Sequence, residues 1–141
     1  ERARSKMITS APGVLVQSQD AVLNSAQITR VQTFPNCSGT FNVNPTDGGF
    51  VQLSTIANAT TINFVGIPGS YTDAYGATVY RPTVWYVEVA NRGSNAVTFN
   101  NITWDGGSAP ALVSSGRSTL LFTSFDGVTV NGTLLYSNLA S

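Results

Sequence analysis

The sequence predicts an all-β fold, an antiparallel β-sandwich of the jelly-roll type. Short runs rich in Val, Thr, Phe and Tyr alternate in polarity, which is the pattern of strands with one buried face. Gly, Pro and Asn separate these runs at intervals of roughly ten residues, as in sandwiches and barrels. No segment has a sustained helical period, and the best candidate, 20–28, suffices for only a short turn or two.

Strands are expected throughout the chain, joined by tight turns. In order, they are 14–17, 28–34, 39–43, 50–55, 60–65, 78–90, 96–99, 111–114, 118–125 and 128–136. The turn signatures are Asp47-Gly48-Gly49, Asn91-Arg92-Gly93, Asp126-Gly127 and Asn131-Gly132. These residues adopt positive φ angles at little cost, which favours tight reversals of the chain.

The predicted strand 78–90 indicates which side chains form the core. Trp85, Val87 and Val89 alternate with more polar positions and are expected to point inward. Pro82 has no N–H to donate to a neighbouring strand, so it predicts an edge or a bulge near the start of this strand.

Composition favours a protein that binds other protein subunits. A chain of 141 residues usually forms one domain, and 42% hydrophobic residues can fill its core. Charged residues make up only 10% of the chain, against about 25% in an average domain. The polar surface must therefore consist mainly of uncharged groups, which cost less to bury in an interface than ions. The net charge of zero provides no basic field for nucleic acid, and no apolar run approaches the ~18 residues of a membrane span.

Basic residues are concentrated at the N-terminus. Arg2, Arg4 and Lys6 supply three of the seven basic residues of the chain. The expected organisation is a flexible basic arm at 1–10 followed by a single β-sandwich domain at 11–141. Two interpretations of the arm remain open: a solvated terminus, or a segment that lies on the acidic surface of a neighbouring subunit.

The longest irregular stretch, 68–76, contains two tyrosines, Tyr71 and Tyr75. Aromatic side chains supply much of the binding energy of protein interfaces. We therefore predict that Tyr71, Tyr75 and the three basic residues of the arm bind a partner. The alternative for the tyrosines is that they cover one end of the sandwich.

The residues needed for most enzyme chemistry are absent or scattered. The chain has no histidine, which removes the usual general base and the commonest metal ligand. Its one cysteine, Cys37, is expected to be a buried small hydrophobic residue and excludes an internal disulfide. Asp47, Asp105 and Asp126 each precede Gly and are interpreted as turn residues. We predict no catalytic activity, no cofactor and no metal site.

One segment resembles a module found in virion proteins of tailed bacteriophages. The segment is 95–112, and it contains Val97-Thr98-Phe99 and Trp104-Asp105-Gly106-Gly107-Ser108-Ala109-Pro110. It is followed by Gly116 and the apolar run 118–127. The module often ends in a strand with a Trp-Tyr-Gly-like sequence, which 128–136 lacks. The resemblance does not extend to residues 1–90.

The residues of this module also suggest how it packs. Trp104 can cover an edge of the sandwich while Gly106 and Gly107 turn the chain beside it, and Pro110 interrupts the ladder that follows. The alternative is that Trp104 binds a sugar.

The resemblance implies a structural protein of a phage particle. The first expectation is a capsid cement (decoration) protein on the capsid surface, which binds the major capsid protein and forms a dimer or trimer. The alternative is the receptor-binding domain of a tail fibre or spike. Neither expectation includes contact with nucleic acid or a membrane.

Overall fold

The computed structural model describes residues 30–140. The predicted arm 1–10, with Arg2, Arg4 and Lys6, lies outside the described residues. The predicted strand 14–17 and the helix candidate 20–28 also lie outside them.

The all-β prediction is confirmed for the described residues, which form eleven strands and one 3-10 turn. The strands are β1 (Val31–Phe34), β2 (Cys37–Val43), β3 (Phe50–Leu53), β4 (Ile56–Phe64), β5 (Tyr71–Thr72), β6 (Thr78–Val79), β7 (Thr83–Ala90), β8 (Val97–Phe99), β9 (Ile102–Trp104), β10 (Arg117–Ser124) and β11 (Val130–Leu139). The 3-10 turn is Asp105–Gly107. In the described part of the chain, no helix has the length and apolar character needed to cross a membrane.

The strands form two sheets and a separate hairpin. Sheet A has six strands in the order β1-β3-β7-β10-β11-β9, and sheet B has three in the order β2-β4-β8. The hairpin consists of β5 and β6. From β1 to β4, and again from β7 to β8, the chain passes alternately through sheet A and sheet B.

The prediction of antiparallel sheets is wrong, because both sheets are mixed or parallel. Sheet B pairs only parallel strands, and β1, β3 and β7 of sheet A are also parallel. Antiparallel pairing within sheet A is confined to β7-β10 and β10-β11. Parallel neighbours need a crossover connection. For β1-β3, β3-β7, β2-β4 and β4-β8 a strand of the opposite sheet lies in that connection, whereas the parallel pair β9-β11 is connected through β10 of sheet A itself. The chain thus forms a coil of three turns, β1-β2, β3-β4 and β7-β8, and each turn consists of one strand of sheet A followed by one strand of sheet B. The turn signatures in the sequence did not predict this coil.

Both sheets contribute to one buried hydrophobic cluster. From sheet A, Trp85, Val87 and Val89 are buried as predicted, and the Trp85 side chain is 0% exposed. The ring of Phe64 in sheet B lies 5.0 Å from that of Trp85 and 4.9 Å from that of Phe122, measured between centroids. Cys37 is also buried in this cluster, as predicted, and burial raises the pKa of its thiol.

Two predicted strands differ from the structure for identifiable reasons. The stretch 78–90 is divided into β6 and β7, and the second strand starts at Thr83, directly after Pro82. Residues 111–114 form no strand. The Arg92 guanidinium instead donates two hydrogen bonds to the Leu112 carbonyl, at 3.0 and 2.7 Å.

One predicted turn lies inside a strand. Asn131 and Gly132 belong to β11. The absence of a side chain at Gly132 allows neighbouring side chains to pack directly against the backbone. A Cβ atom at this position would lie 2.8 Å from the Trp104 ring and 2.9 Å from side-chain atoms of both Ile102 and Phe122. The short strands β5 and β9 were not predicted.

Candidate protein-binding surface

The β5-β6 hairpin projects Tyr75 into solvent on an ordered turn. The Asp73 carboxylate accepts hydrogen bonds from the backbone N–H groups of Tyr75 and Ala77, each at 2.9 Å. Gly76 completes the turn with a positive φ of 81°. Tyr75 is 95% exposed at the tip, and Tyr71 is half-exposed at the base of the same hairpin.

The base of this hairpin is held to the loop that precedes it. The Arg81 Nε donates to the Gly69 carbonyl at 2.9 Å, and the Arg81 guanidinium lies 5.3 Å from the centre of the Tyr71 ring. The second distance is within the range of a cation–π interaction. Tyr71 therefore has a defined position although half of its surface is exposed.

The turn between β10 and β11 lies against the same loop. A Cβ atom on Gly127 would lie 2.7 Å from both the Cα of Gly69 and the carbonyl oxygen of Pro68. The turn is ordered by Asp126, whose carboxylate accepts from the N–H groups of Thr129 and Val128 at 2.7 and 2.9 Å. These bonds favour the ionised form and hold the pKa of Asp126 below its ordinary value.

This contact brings further apolar side chains to the same end of the molecule. Phe125 stacks on Tyr80, with ring centroids 5.0 Å apart and an interplanar angle of 27°. Phe125 is 60% exposed, Tyr80 is 46% exposed and Val128 is 83% exposed. We call the exposed residues Tyr71, Tyr75, Tyr80, Phe125 and Val128 the aromatic surface.

The sequence identified only part of this surface. Tyr71 and Tyr75 were predicted to contact a partner, and the structure places both on one exposed hairpin. Tyr80 was missed because it was assigned to the strand 78–90. Phe125 was also assigned to a strand, although its position directly before the Asp126-Gly127 turn signature indicated exposure.

A second surface feature lies beside the bacteriophage-like module. It is an open groove of about 440 Å³, lined by Thr103, Trp104, Asp105, Leu121, Thr123, Asn131, Gly132 and Thr133. The Trp104 ring packs edge-on against Phe99 and Phe122, at centroid distances of 6.1 and 5.7 Å. These contacts give the ring a structural role in covering the core.

Metal-ligating side chains are not grouped in residues 30–140, since no three His, Cys, Asp or Glu residues there are arranged to hold an ion. The exposed aromatic rings described above have the chemistry of residues that make non-covalent contacts in protein interfaces. No family model, curated protein or solved structure matches the chain.

Proposed function

We propose that this protein is a structural, non-catalytic component of a bacteriophage particle that acts by binding neighbouring protein subunits. The observation that carries the proposal is the aromatic surface. Exposed Tyr and Phe side chains held by ordered turns lose little conformational freedom on binding, and aromatic residues are enriched at interface hot spots. The sequence resemblance supplies the phage context.

The partner that we propose is the major capsid protein, contacted at the outside of the capsid. A protein that binds only the assembled lattice stabilises that lattice by mass action. The basic arm 1–10, with Arg2, Arg4 and Lys6, would add contacts to an acidic neighbouring surface. Assembly of the chain as a dimer or trimer would multiply these contacts.

We also propose that sheets A and B face each other as a β-sandwich, because side chains of both contribute to one buried cluster. Among the described strands, the antiparallel pairing that a jelly roll requires occurs only in the run β7-β10-β11 and in the β5-β6 hairpin. The strands β1, β2, β3, β4 and β8, together with β7, belong to the parallel coil.

A tail fibre or spike is the second candidate, and the coil favours it. Parallel coils stack along one axis and can be extended by further coils, which suits an elongated particle component. The groove beside Trp104 and Asp105 would then be a candidate site for a host glycan.

The test is to add the purified protein to capsids that lack it and to measure the temperature at which they open. The proposal expects opening at a higher temperature, in a manner that saturates with protein concentration. A Tyr71→Ser/Tyr75→Ser variant should lose the effect, whereas Tyr136→Ser, which removes an exposed tyrosine from β11, should retain it. Capsids indifferent to the protein would contradict the cement function, and binding to host cells instead would favour the tail-fibre candidate.

A further inference from the structure

The face of sheet A that is turned away from the buried cluster carries a row of large side chains. Successive residues of a strand point to opposite faces, and we call this second face the outer face. Strand register places five residues of β1, β3, β7, β10 and β11 side by side on it: Val31, Phe50, Tyr86, Leu121 and Thr133. We call these five the outer row. Val31 is 59% exposed and the other four are half-buried. An apolar stripe that solvent reaches therefore crosses most of the sheet.

The charged groups of the outer face neutralise each other. Within the six strands of sheet A, the charged residues are Glu88 and Arg117. The Arg117 guanidinium lies 3.0 Å from one carboxylate oxygen of Glu88, and Gln52 Nε2 donates to the other at 3.1 Å. Because this pair has no net charge, two identical outer faces can approach each other without repulsion between like charges.

The groove of about 440 Å³ described above lies on the same face. Its lining residues Leu121, Thr123, Asn131 and Thr133 alternate along β10 and β11 with residues that point into the core. The two aromatic rings of the outer row lie on the other half of the face, on β3 and β7, with centroids 6.4 Å apart. One half of the outer face is thus raised by large side chains, and the other half is hollow.

Opposite charges lie at the two ends of the outer row. Arg30 is exposed and directly precedes Val31 at the β1 edge. Asp105 is exposed and directly follows β9 at the other edge, where its carboxylate accepts a hydrogen bond from Thr133 Oγ1 at 3.3 Å. Neighbouring strands are about 4.8 Å apart, so the two edges of this six-strand sheet are separated by about 24 Å. Arg30 and Asp105 of one chain are therefore too far apart to form an ion pair with each other.

We propose that the outer face of sheet A binds the same face of a second copy of this chain, around a two-fold axis parallel to the strands. Such an axis reverses the order of the strands and keeps their direction. The β1 edge of each copy then faces the β9 edge of the other, and β1 and β9 run in the same direction.

This arrangement makes the outer face complementary to itself, as a two-fold contact requires. The rings of Phe50 and Tyr86 of each copy face the groove of the other copy. Arg30 of each copy lies beside Asp105 of the other copy, so that one contact contains two ion pairs. A partner with a strongly charged surface would find no net charge within the strands of this face, which favours a second copy as the occupant.

The pairing specifies the self-assembly that forms part of the proposed function, and it rests on that part alone. The aromatic surface consists of other residues, so capsid binding and self-association are measured separately. Loss of either one leaves the other unaffected as a result.

A charge-reversal experiment on the full chain tests the pairing by sedimentation equilibrium. Arg30→Asp and Asp105→Arg should each weaken dimerisation by about tenfold or more, because like charges then face each other at both ends of the contact. An equimolar mixture of the two variants should form mixed dimers at least about tenfold more tightly than either variant alone, since an acidic residue again faces a basic one at both ends. Asn58→Arg, at an exposed position of sheet B, is the control and should not change dimerisation.

A second pair of variants tests the outer row without altering Arg30 or Asp105. Val31→Asp should weaken dimerisation by about tenfold or more, because the contact would bury an added charge. Val65→Asp is the matched control, since Val65 is 39% exposed and follows β4 outside sheet A. Urea unfolding verifies that all variants are folded.

Three results would overturn the proposal. The first is a full chain that stays monomeric, whether residues 1–29 or the capsid protein then covers the outer face. The second is a mixture of the two charge variants that associates no more tightly than its components. The third is equal dimer affinity for Val31→Asp and Val65→Asp.

Discussion

At the residue scale, Gly132 shows how a residue type expected in a turn can serve packing inside a strand. It lies in β11 where the rings of Trp104 and Phe122 approach the backbone. The sequence could not distinguish these uses, because Asn-Gly is common in turns whereas close approach to a distant aromatic ring is a tertiary property.

Gly132→Ala should destabilise the protein by about 1–3 kcal/mol, because the new methyl group must displace packed side chains. The matched control is Gly69→Ala, where an added Cβ would lie 3.5 Å from the Asp126 carbonyl, an ordinary contact distance. Urea unfolding of both variants measures the difference. Equal losses of unfolding free energy would contradict this account of Gly132.

Asp126 should make stability depend on pH in the acidic range. Its pKa is lowered in the folded protein by hydrogen bonds from Thr129 and Val128, whereas the unfolded value is about 3.9. Its contribution is therefore present above about pH 5 and is lost as the pH falls through the lowered folded value. Asp126→Asn removes this titration.

The measurement for Asp126 is the unfolding free energy of wild type and Asp126→Asn at a series of pH values. The difference between them should be constant near neutral pH and should shift against the wild type below about pH 4. A difference that stays constant down to about pH 2 would show that the carboxylate is not linked to folding in this way.

At the scale of elements, β7 was the most predictable part of the chain. Its alternation correctly assigned Trp85, Val87 and Val89 to the core, since the direction in which a side chain points is a local property of a strand. The alternation did not predict that Glu88, on the opposite face, is buried as well, with a carboxylate oxygen 3.0 Å from the Arg117 guanidinium of β10. Whether the strands beside β7 run parallel or antiparallel to it could not be predicted from this alternation. A turn signature indicates that the chain reverses, but not whether the next strand joins the same sheet or the opposite one.

Trp85→Ala should cost about 3–5 kcal/mol of unfolding free energy, because it would leave a cavity between Phe64 and Phe122. Val84→Ala, at a half-exposed neighbouring position in β7, should change stability by only about 0.5 kcal/mol. Chemical denaturation measures both. Similar costs for the two variants would contradict the assignment of Trp85 to the centre of the core.

A Thr-apolar-Asn tripeptide, present at each of the three strands of sheet B, was the missed signal of the coil. In sheet B, Thr-apolar-Asn occurs at 40–42, 61–63 and 98–100, but the β5-β6 hairpin lies between the second and third copies and makes their spacing unequal. The tripeptide also occurs at 129–131, at the start of β11 in sheet A. A search for a constant period therefore does not reveal it. Strand register, which aligns the copies directly, does.

At the scale of the whole molecule, the candidate site combines two segments distant in sequence. The β5-β6 hairpin carries Tyr71 and Tyr75, and the β10-β11 turn carries Phe125 and Val128. The tyrosines were predictable from composition and their irregular surroundings. Their association with the second segment depends on the contact between Gly127 and the 68–69 backbone, which no local pattern indicates.

The most direct test of the central claim is the affinity of the purified protein for capsids that lack it, measured by co-sedimentation. Tyr75→Ser should weaken binding by about tenfold or more, equivalent to ~1.4 kcal/mol, without changing the unfolding free energy. Tyr136→Ser, which removes a tyrosine that is 56% exposed on β11, should leave the affinity unchanged. Equal affinities for wild type and Tyr75→Ser, or no binding of the wild type to capsids, would contradict the claim that the aromatic surface binds the capsid.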